Sequence, residues 1–420
     1  MNVLFFLPIL VTVVGVYMLF RLRFFFFRPV SFSRDIRSLI KKRGALKNLC
    51  LALSGTLGVG NIVGVAVGLK IGGAGSVFWL VLSAIPAAAI KYSESSVAVS
   101  LGKRTGMMGV IESSFSRGGA KMAKLYAFFA VLLAFVLGAG LQCASFTETL
   151  SSLFGAIPVV FVILLLIPAA YVVLAGADKI KSITAIFVSV ASIVYVFTCI
   201  YLIFLGRDAL PSALAAIFKG AFTPSGMLGG VGASFTAYAV KEGFCRGILS
   251  NEAGLGTSAM AHSSDVGYTP HEAGMVGVLE VVFDTAVLCP LSALMLLVSG
   301  DSTKLFPMDY VVSAVEKGGD ALVFLFAVSV FSFAFSTVVC WISYGSLAFS
   351  YAFGERRKLF SFLFLISLPI GSLLGSALLV SATDYVMLPL AVLSMLAVIK
   401  NSETAEMLFR SRDKLHDFNF

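Results

Sequence analysis

Hydrophobic residues fall in long runs separated by short polar stretches, and the length of those runs sets the architecture. Eleven reach membrane-spanning length, at about 3–20, 48–70, 74–100, 123–153, 157–175, 180–205, 227–250, 272–300, 320–353, 359–380 and 383–400. About 20 apolar residues in a helix cross the hydrocarbon core, so the pattern predicts an all-α polytopic membrane protein of about eleven transmembrane helices. The second run is unlike the others. In Leu53-Ser-Gly-Thr-Leu-Gly-Val-Gly-Asn-Ile-Val-Gly64, the glycines Gly55, Gly58 and Gly60 sit near its middle. Glycine is a poor helix former, so the helix is expected to break there. Backbone released from helical bonding persists at membrane depth only inside protein or beside a polar cavity, which makes the break a candidate binding site. A blander reading competes: Gly60, Gly64 and Gly68 are spaced four apart, as on a face where two membrane helices pack closely. A dinucleotide loop is set aside, because the glycines at 58, 60 and 64 miss its spacing by one and no strand precedes them.

Composition agrees with the pattern. The chain is 59% hydrophobic and 13% charged, and its mean hydropathy of +0.98 excludes a water-soluble domain of this length. The first run, Val3 to Phe20, has no basic region before it and no small-residue cleavage site after it, so a retained helix is expected. The net charge of +9 is distributed over short connections, which points to a bilayer and not to nucleic acid. The connection 21–47 carries nine of the 31 Lys and Arg residues and is therefore expected on the cytoplasmic side. The connections 101–123, 176–182, 251–271 and 354–358 and the C-terminal tail then fall on the same side. That places about 23 basic residues inside and five outside (Lys70, Arg207, Lys219, Lys304, Lys317). The expected topology has the N-terminus outside and the C-terminus inside a cell (inner) membrane. The six cysteines (Cys50, Cys143, Cys199, Cys245, Cys289, Cys340) lie in or beside apolar runs without CxxC spacing and read as packing residues.

The runs divide into 1–47, an N-terminal helix with its basic loop; 48–205, a first five-helix unit; 206–226, an external connection; 227–400, a second five-helix unit; and 401–420, a cytoplasmic tail. An odd-numbered unit starts its successor from the opposite face, so an inverted repeat is expected. Gly226-Met-Leu-Gly-Gly-Val-Gly232, with Gly243 and Gly247, supplies a second glycine-rich run at the corresponding place and predicts a second broken helix there. Pro211–Ala221 and Met308–Lys317 read as amphipathic helices along the membrane surface.

At a broken helix, the free amides of the second half suit an anion, here those of Val59, Gly60 and Asn61. The free carbonyls around Ser54 to Leu57 suit a cation, so a small zwitterion with a metal ion would satisfy both ends. Hard cations take oxygen ligands, and Ser336 and Thr337 could supply hydroxyls from the ninth helix. Adjacent hydroxyls in a membrane helix more often bond back to their own turn. Gln142 lies deep in the fourth helix, where an amide must find a partner. Trp341, one helical turn past Thr337, and Phe244 are each wall or core. Glu94, Glu148, Glu280 and Asp284 lie at or within membrane segments. Glu94 reads as structural; Asp284 is deeper and reads as a functional candidate. The polar stretch Arg246 to Gly256 opens an inner loop and could cap helix ends or gate a cytoplasmic path. His262, His271 and His416 form no His-Glu-x-x-His motif, which disfavours a zinc protease.

Taken together, Gly58-Val-Gly-Asn-Ile-Val-Gly-Val-Ala66, Gly72-Gly-Ala-Gly-Ser-Val-Phe-Trp79, Arg246-Gly-Ile-Leu-Ser-Asn-Glu-Ala-Gly-Leu-Gly256, Phe283-Asp-Thr285 and Phe335-Ser-Thr337 through Trp341 with Tyr344-Gly345 resemble the alanine or glycine:cation symporter family. The resemblance covers roughly 48–353. It implies the five-plus-five inverted repeat of LeuT-type transporters preceded by one extra helix, and cotransport of alanine or glycine with sodium. Carried over, a sodium site would use backbone oxygens of Ser54 and Leu57 with the hydroxyls of Ser336 and Thr337. The substrate carboxylate would meet the amides near Val59 and Gly60, and Gln142, Phe244, Ile248 and Trp341 would line the pocket. The chain departs from the family pattern at Val59, where Thr is usual, at Gly72-Gly-Ala-Gly75 for Gly-Gly-Pro-Gly, at Gln142-Cys-Ala-Ser145 for Gln-Ala-Asn-Ser, and at Gly256-Thr-Ser-Ala259 for Gly-Ser-Ala-Pro.

The expected function is sodium-coupled symport of a small neutral amino acid by alternating access, with no resident cofactor. Alternatives are proton coupling, through Asp284 or Glu148, or a changed solute on the same fold. An embedded enzyme is disfavoured by the lack of a nucleophile–base pair or metal cluster at depth, and a passive channel would not accumulate solute.

Overall fold

The computed structural model describes residues 6–25, 29–41, 49, 53–102, 105–175, 177–222, 231–263 and 268–416, and among them every regular element is helical. The helices are α1 (Phe6–Arg21), α2 (Pro29–Lys41), α3 (Gly60–Gly72), α4 (Gly75–Ser100), α5 (Gly106–Ser114), α6 (Gly119–Phe154), α7 (Pro158–Ala175), α8 (Ala177–Leu205), α9 (Leu210–Phe222), α10 (Val231–Asn251), α11 (Thr257–His262), α12 (Pro270–Ser299), α13 (Pro307–Glu316), α14 (Asp320–Phe353), α15 (Arg357–Leu374), α16 (Ser376–Lys400) and α17 (Ser402–His416). Seven of the described helices (α4, α6, α12, α14, α15, α16 and the Ala185–Leu205 part of α8) are long and apolar enough to cross a bilayer. Shorter apolar helices include α1 and α3. The protein is a multi-pass membrane protein.

Close packing follows from small residues. α4 lies against α1, α10 and α12. A Cβ on Gly243 would come within 2.5 Å of the Ser76 carbonyl, and one on Gly247 within 2.0 Å of Ser83 Oγ. These two glycines therefore let α10 approach α4; they do not break it. The outward faces carry the opposite chemistry: Ile167, Ile193 and Leu373 are 64%, 72% and 88% exposed. Such apolar faces are at home against lipid tails.

Two expectations about helix ends are corrected. The second break was expected within Gly226–Gly232 with Gly243 and Gly247. Residues 223–230 lie outside the described residues, and α10 runs unbroken through both later glycines to Asn251. The chain instead leaves the helix at Glu252 to Gly256, within the stretch expected to be an inner loop, and resumes as α11. Glu252, Gly254 and Gly256 all take left-handed backbone angles (φ +55°, +86° and +77°) that no helix continues through. The joint expected at 380–383 lies at Gly375 (φ +83°), and α16 is helical through Ser381 and Thr383. The expected surface helices Pro211–Ala221 and Met308–Lys317 form as α9 and α13.

Two long helices carry wide π-helical turns, Ala134–Leu141 in α6 and Val282–Leu288 in α12. Such turns free a carbonyl from its α-helical partner and cluster at functional sites. One ends next to Gln142 and the other contains Asp284.

Candidate functional site at the helix break

The first break falls where the glycines place it. A helical turn at 53–56 ends, Leu57 to Val59 are irregular, and α3 begins at Gly60. Val59 precedes α3 without a side-chain cap, and the next amides close tight turns instead, Asn61 N–H donating to the Gly58 carbonyl at 3.2 Å and Ile62 N–H to that of Val59 at 3.0 Å. Val59 N–H donates to Gln142 Oε1 at 3.0 Å. The Gln142 Nε2 in turn donates to the Leu137 carbonyl at 3.3 Å, inside the wide turn of α6. The π-helical geometry thus supplies the acceptor that holds the amide in position.

On the carbonyl side, the Thr337 hydroxyl lies 3.0 Å from the Leu57 carbonyl and 3.3 Å from that of Ser54. Both carbonyls belong to the end of the first half-helix. Ser336 is fully buried, and its hydroxyl donates to the Phe333 carbonyl one turn back at 3.1 Å. Gly58 sits between these groups: a Cβ there would fall 2.7 Å from Gln142 Oε1 and 2.9 Å from Thr337 Oγ1. A Cβ on Gly60 would meet nothing within 4 Å, so space opens beside the first amides of α3.

The structure therefore brings Ser54, Leu57, Gly58, Val59, Gln142 and Thr337 together at the junction of the first break with α6 and α14. Trp341, 1% exposed, closes this side, with its ring stacked so tightly on Gly138 that a Cβ there would lie 2.5 Å from Trp341 Cγ. Asn61 turns away from this group, toward Asp284. Phe244 packs 6.4 Å from the Trp79 ring, on the α4 side of α10, and Ile248 is buried one turn further along.

Two ionic clusters flank the junction, and the sequence reading missed both partnerships. Arg246 in α10 contacts Asp384 in α16 at 2.5 Å and Glu242 at 3.4 Å, and its side chain covers Gly68 of α3. All three charged groups are buried. Asp384 was legible as a lone acid in an apolar run, a signal of function at membrane depth. Past the second break, Lys91 Nζ lies 3.2 Å from Glu280 Oε2, and His262 Nε2 lies 2.9 Å from Glu280 Oε1. Ser258 bonds to both Lys91 and Glu280. Glu94 accepts from Gly256 N–H at 3.0 Å and from Ser394 at 2.9 Å, which ties the second break to α4 and α16 in the structural role expected for it. Glu148 accepts from the amide and hydroxyl of Ser376 and so caps α16. Five cysteines are buried and form no disulfide among the described residues, and Cys50 lies outside those residues.

Two interrupted helices meeting at buried, oxygen-rich junctions are the architecture of a carrier, and comparison with known proteins decides which kind. The chain matches the sodium:alanine symporter family over residues 1–414. It belongs to that family. A transporter of Haemophilus influenzae is 30% identical over 388 residues, covering 88% of this chain and 84% of the relative. The sodium/alanine symporter AgcS of Methanococcus maripaludis is 30% identical over 326 residues, covering 73% of this chain and 70% of its own. Among solved structures, MhsT in complex with L-phenylalanine shares the fold, with a TM-score of 0.61 at 13% identity over 88% of this chain and 98% of that one. The fold is that of LeuT-type transporters, and this member of the sodium:alanine symporter family is a secondary transporter, not an enzyme.

Proposed function

We propose that this symporter moves a small neutral amino acid, alanine or glycine, into the cell together with sodium. One observation carries the reading: the first break gathers the Ser54 and Leu57 carbonyls around the Thr337 hydroxyl on one side, and on the other sets the Val59 amide, held by Gln142 Oε1, beside open space at Gly60. A zwitterion with a hard cation is complementary to that polarity. Sodium takes the Ser54 and Leu57 carbonyls and the Thr337 hydroxyl, with the Ser336 hydroxyl joining once it leaves its own turn. The substrate carboxylate displaces Gln142 Oε1 from Val59 N–H and reaches the Gly60 amide, with Trp341, Phe244 and Ile248 limiting side-chain size. The carboxylate brings negative charge to the sodium side, so each ligand raises the affinity of the other by the same factor. The two five-helix units, 48–205 and 227–400, rock against each other, with the N-terminus outside and the C-terminus in the cytoplasm of a cell membrane. In this orientation Arg246, Glu242 and Asp384 close the outer path.

The test is uptake of labelled alanine into proteoliposomes with an inward sodium gradient, against potassium replacing sodium. Sodium-dependent accumulation above equilibrium is expected. Equal uptake in both media would overturn sodium coupling, and no uptake of alanine or glycine would overturn the substrate and turn attention to Val59.

A further inference from the structure

Away from the helix break, α4, α9 and α12 enclose a groove of about 520 Å³. Val77 and Ile85 mark its ends on α4, Leu294 and Val282 its ends on α12, and Ile217 and Phe218 of α9 line it from one side. A site for a small polar solute sets a few polar groups among apolar walls. The described side chains lining this groove include none. Phe218 and Ile85 are 57% and 36% exposed, so the groove opens on the side where an embedded protein meets lipid tails.

Its length and its mouth narrow the occupant further. From Val282 to Leu294 the groove follows α12 for about 18 Å, at a rise of about 1.5 Å per residue. That stretch begins near the middle of Pro270–Ser299 and ends near its close. One leaflet of a hydrocarbon core about 30 Å thick is about 15 Å deep, so the groove matches a single leaflet. α9 is clamped at the end away from the membrane centre. Trp79 Nε1 donates to the Ala221 carbonyl at 3.3 Å, the Phe78 and Phe222 rings meet edge-on at 4.9 Å, and a Cβ on Gly75 would lie 2.2 Å from Gly220. These contacts fix the end of α9 on the start of α4. Lys219, the residue after Phe218, is exposed and pairs with no acid among the described residues.

We propose that this groove binds one chain of an anionic phospholipid, with the phosphate on Lys219 and the tail laid along α12 as far as Val282. The lysine stem follows the apolar surface of α9 while its ammonium stays at the headgroup level. One such charge favours an anionic over a neutral lipid by about fivefold. The tail packs on Val282 and Ala286, both in the wide turn of α12, and so supports a stretch of helix whose own hydrogen bonding is loosened. The site is independent of which solute the protein carries, because lipid binding is measured without solute.

Trp79 is the reporter: it stands beside the groove, and the second of the two tryptophans, Trp341, is buried in the core. The full chain is reconstituted in mixtures of phosphatidylglycerol and phosphatidylcholine, with brominated chains on one lipid and then on the other, and quenching of fluorescence is followed. A saturable component with about fivefold preference for phosphatidylglycerol is expected. Lys219→Gln should level the preference, and Ala286→Phe, which fills the groove, should remove the saturable component. Equal quenching by both lipids at every composition would leave only the lipid that surrounds any membrane protein and overturns the proposal. A saturable component undiminished in Ala286→Phe overturns it as well. Should Ala286→Phe fail to fold, Lys219→Gln decides, and an unchanged preference overturns the site. Quenching that falls with protein density at constant lipid composition would put a second copy of this chain in the groove and overturns the lipid.

Discussion

The Thr337 hydroxyl reaches the Leu57 carbonyl at 3.0 Å across a sequence separation of 280 residues, so a side chain of α14 completes a polar site begun by the end of a half-helix. A hydroxyl that serves a cation there should be needed for its affinity and not for the fold. Thr337→Ala is expected to raise the sodium concentration for half-maximal uptake by about tenfold, roughly the worth of one such polar contact. Thr337→Ser should restore it. Sodium activation in the alanine variant indistinguishable from wild type would remove Thr337 from the site.

Gly58 tests the junction sterically. A methyl group at this position would sit 2.7 Å from Gln142 and 2.9 Å from Thr337, closer than van der Waals contact allows. Gly58→Ala is expected to reduce uptake by about a hundredfold or more with the protein still reaching the membrane, since displacement of about 1 Å at a binding centre costs that much. Wild-type uptake by this variant would show that Gln142 and Thr337 need not stay where they are.

The buried pair Arg246 and Asp384 should behave as a unit. Removing one partner strands the other, at a cost of about 3–5 kcal/mol, whereas replacing both with apolar side chains costs less. Asp384→Asn and Arg246→Met should each lower the melting temperature in detergent, and Arg246→Met with Asp384→Leu should melt above either. A strictly additive loss in the double variant would contradict the coupling.

One acid outside the membrane segments titrates abnormally. Asp301, in the connection between α12 and α13, accepts from the hydroxyl and amide of Thr303, and these bonds hold its carboxyl below the usual range. A depressed folded value means that the contribution to loop order is present at neutral pH and fades as pH falls through the lowered value. Thr303→Ala removes the larger of the two causes and should move the Asp301 titration upward, as followed by NMR of labelled aspartate. An unmoved titration would reassign the effect.

How much of this was readable follows from the residues themselves. Gly58 marked the first break because polar neighbours and glycines interrupt an otherwise spanning run. The same composition misdirected the second, since glycine also serves close approach: Gly243 and Gly247 press α10 onto α4, and the break falls at Glu252 to Gly256, where polar flanks read as a loop. Thr337 and Gln142 were legible as polar groups at depth. Their convergence on one glycine was not, because nothing local encodes contact between α3, α6 and α14. Asp384 and Arg246 are separated by 138 positions and meet only through tertiary packing. Ser336 was legible as a hydroxyl at the right height, yet its bond back to Phe333 is the local alternative that such residues favour.

The wide turns at Ala134–Leu141 and Val282–Leu288 have a meaning for how this protein tolerates change. Each amounts to a single extra residue accommodated without interrupting the helix, and a helix advances about 100° per residue. Deleting one residue from either turn would restore regular winding and swing every side chain beyond it by that angle, carrying Gln142 or Asp284 off its partner. Substitution would leave that register intact. The number of residues in these two turns, more than their identity, is what heredity must keep constant.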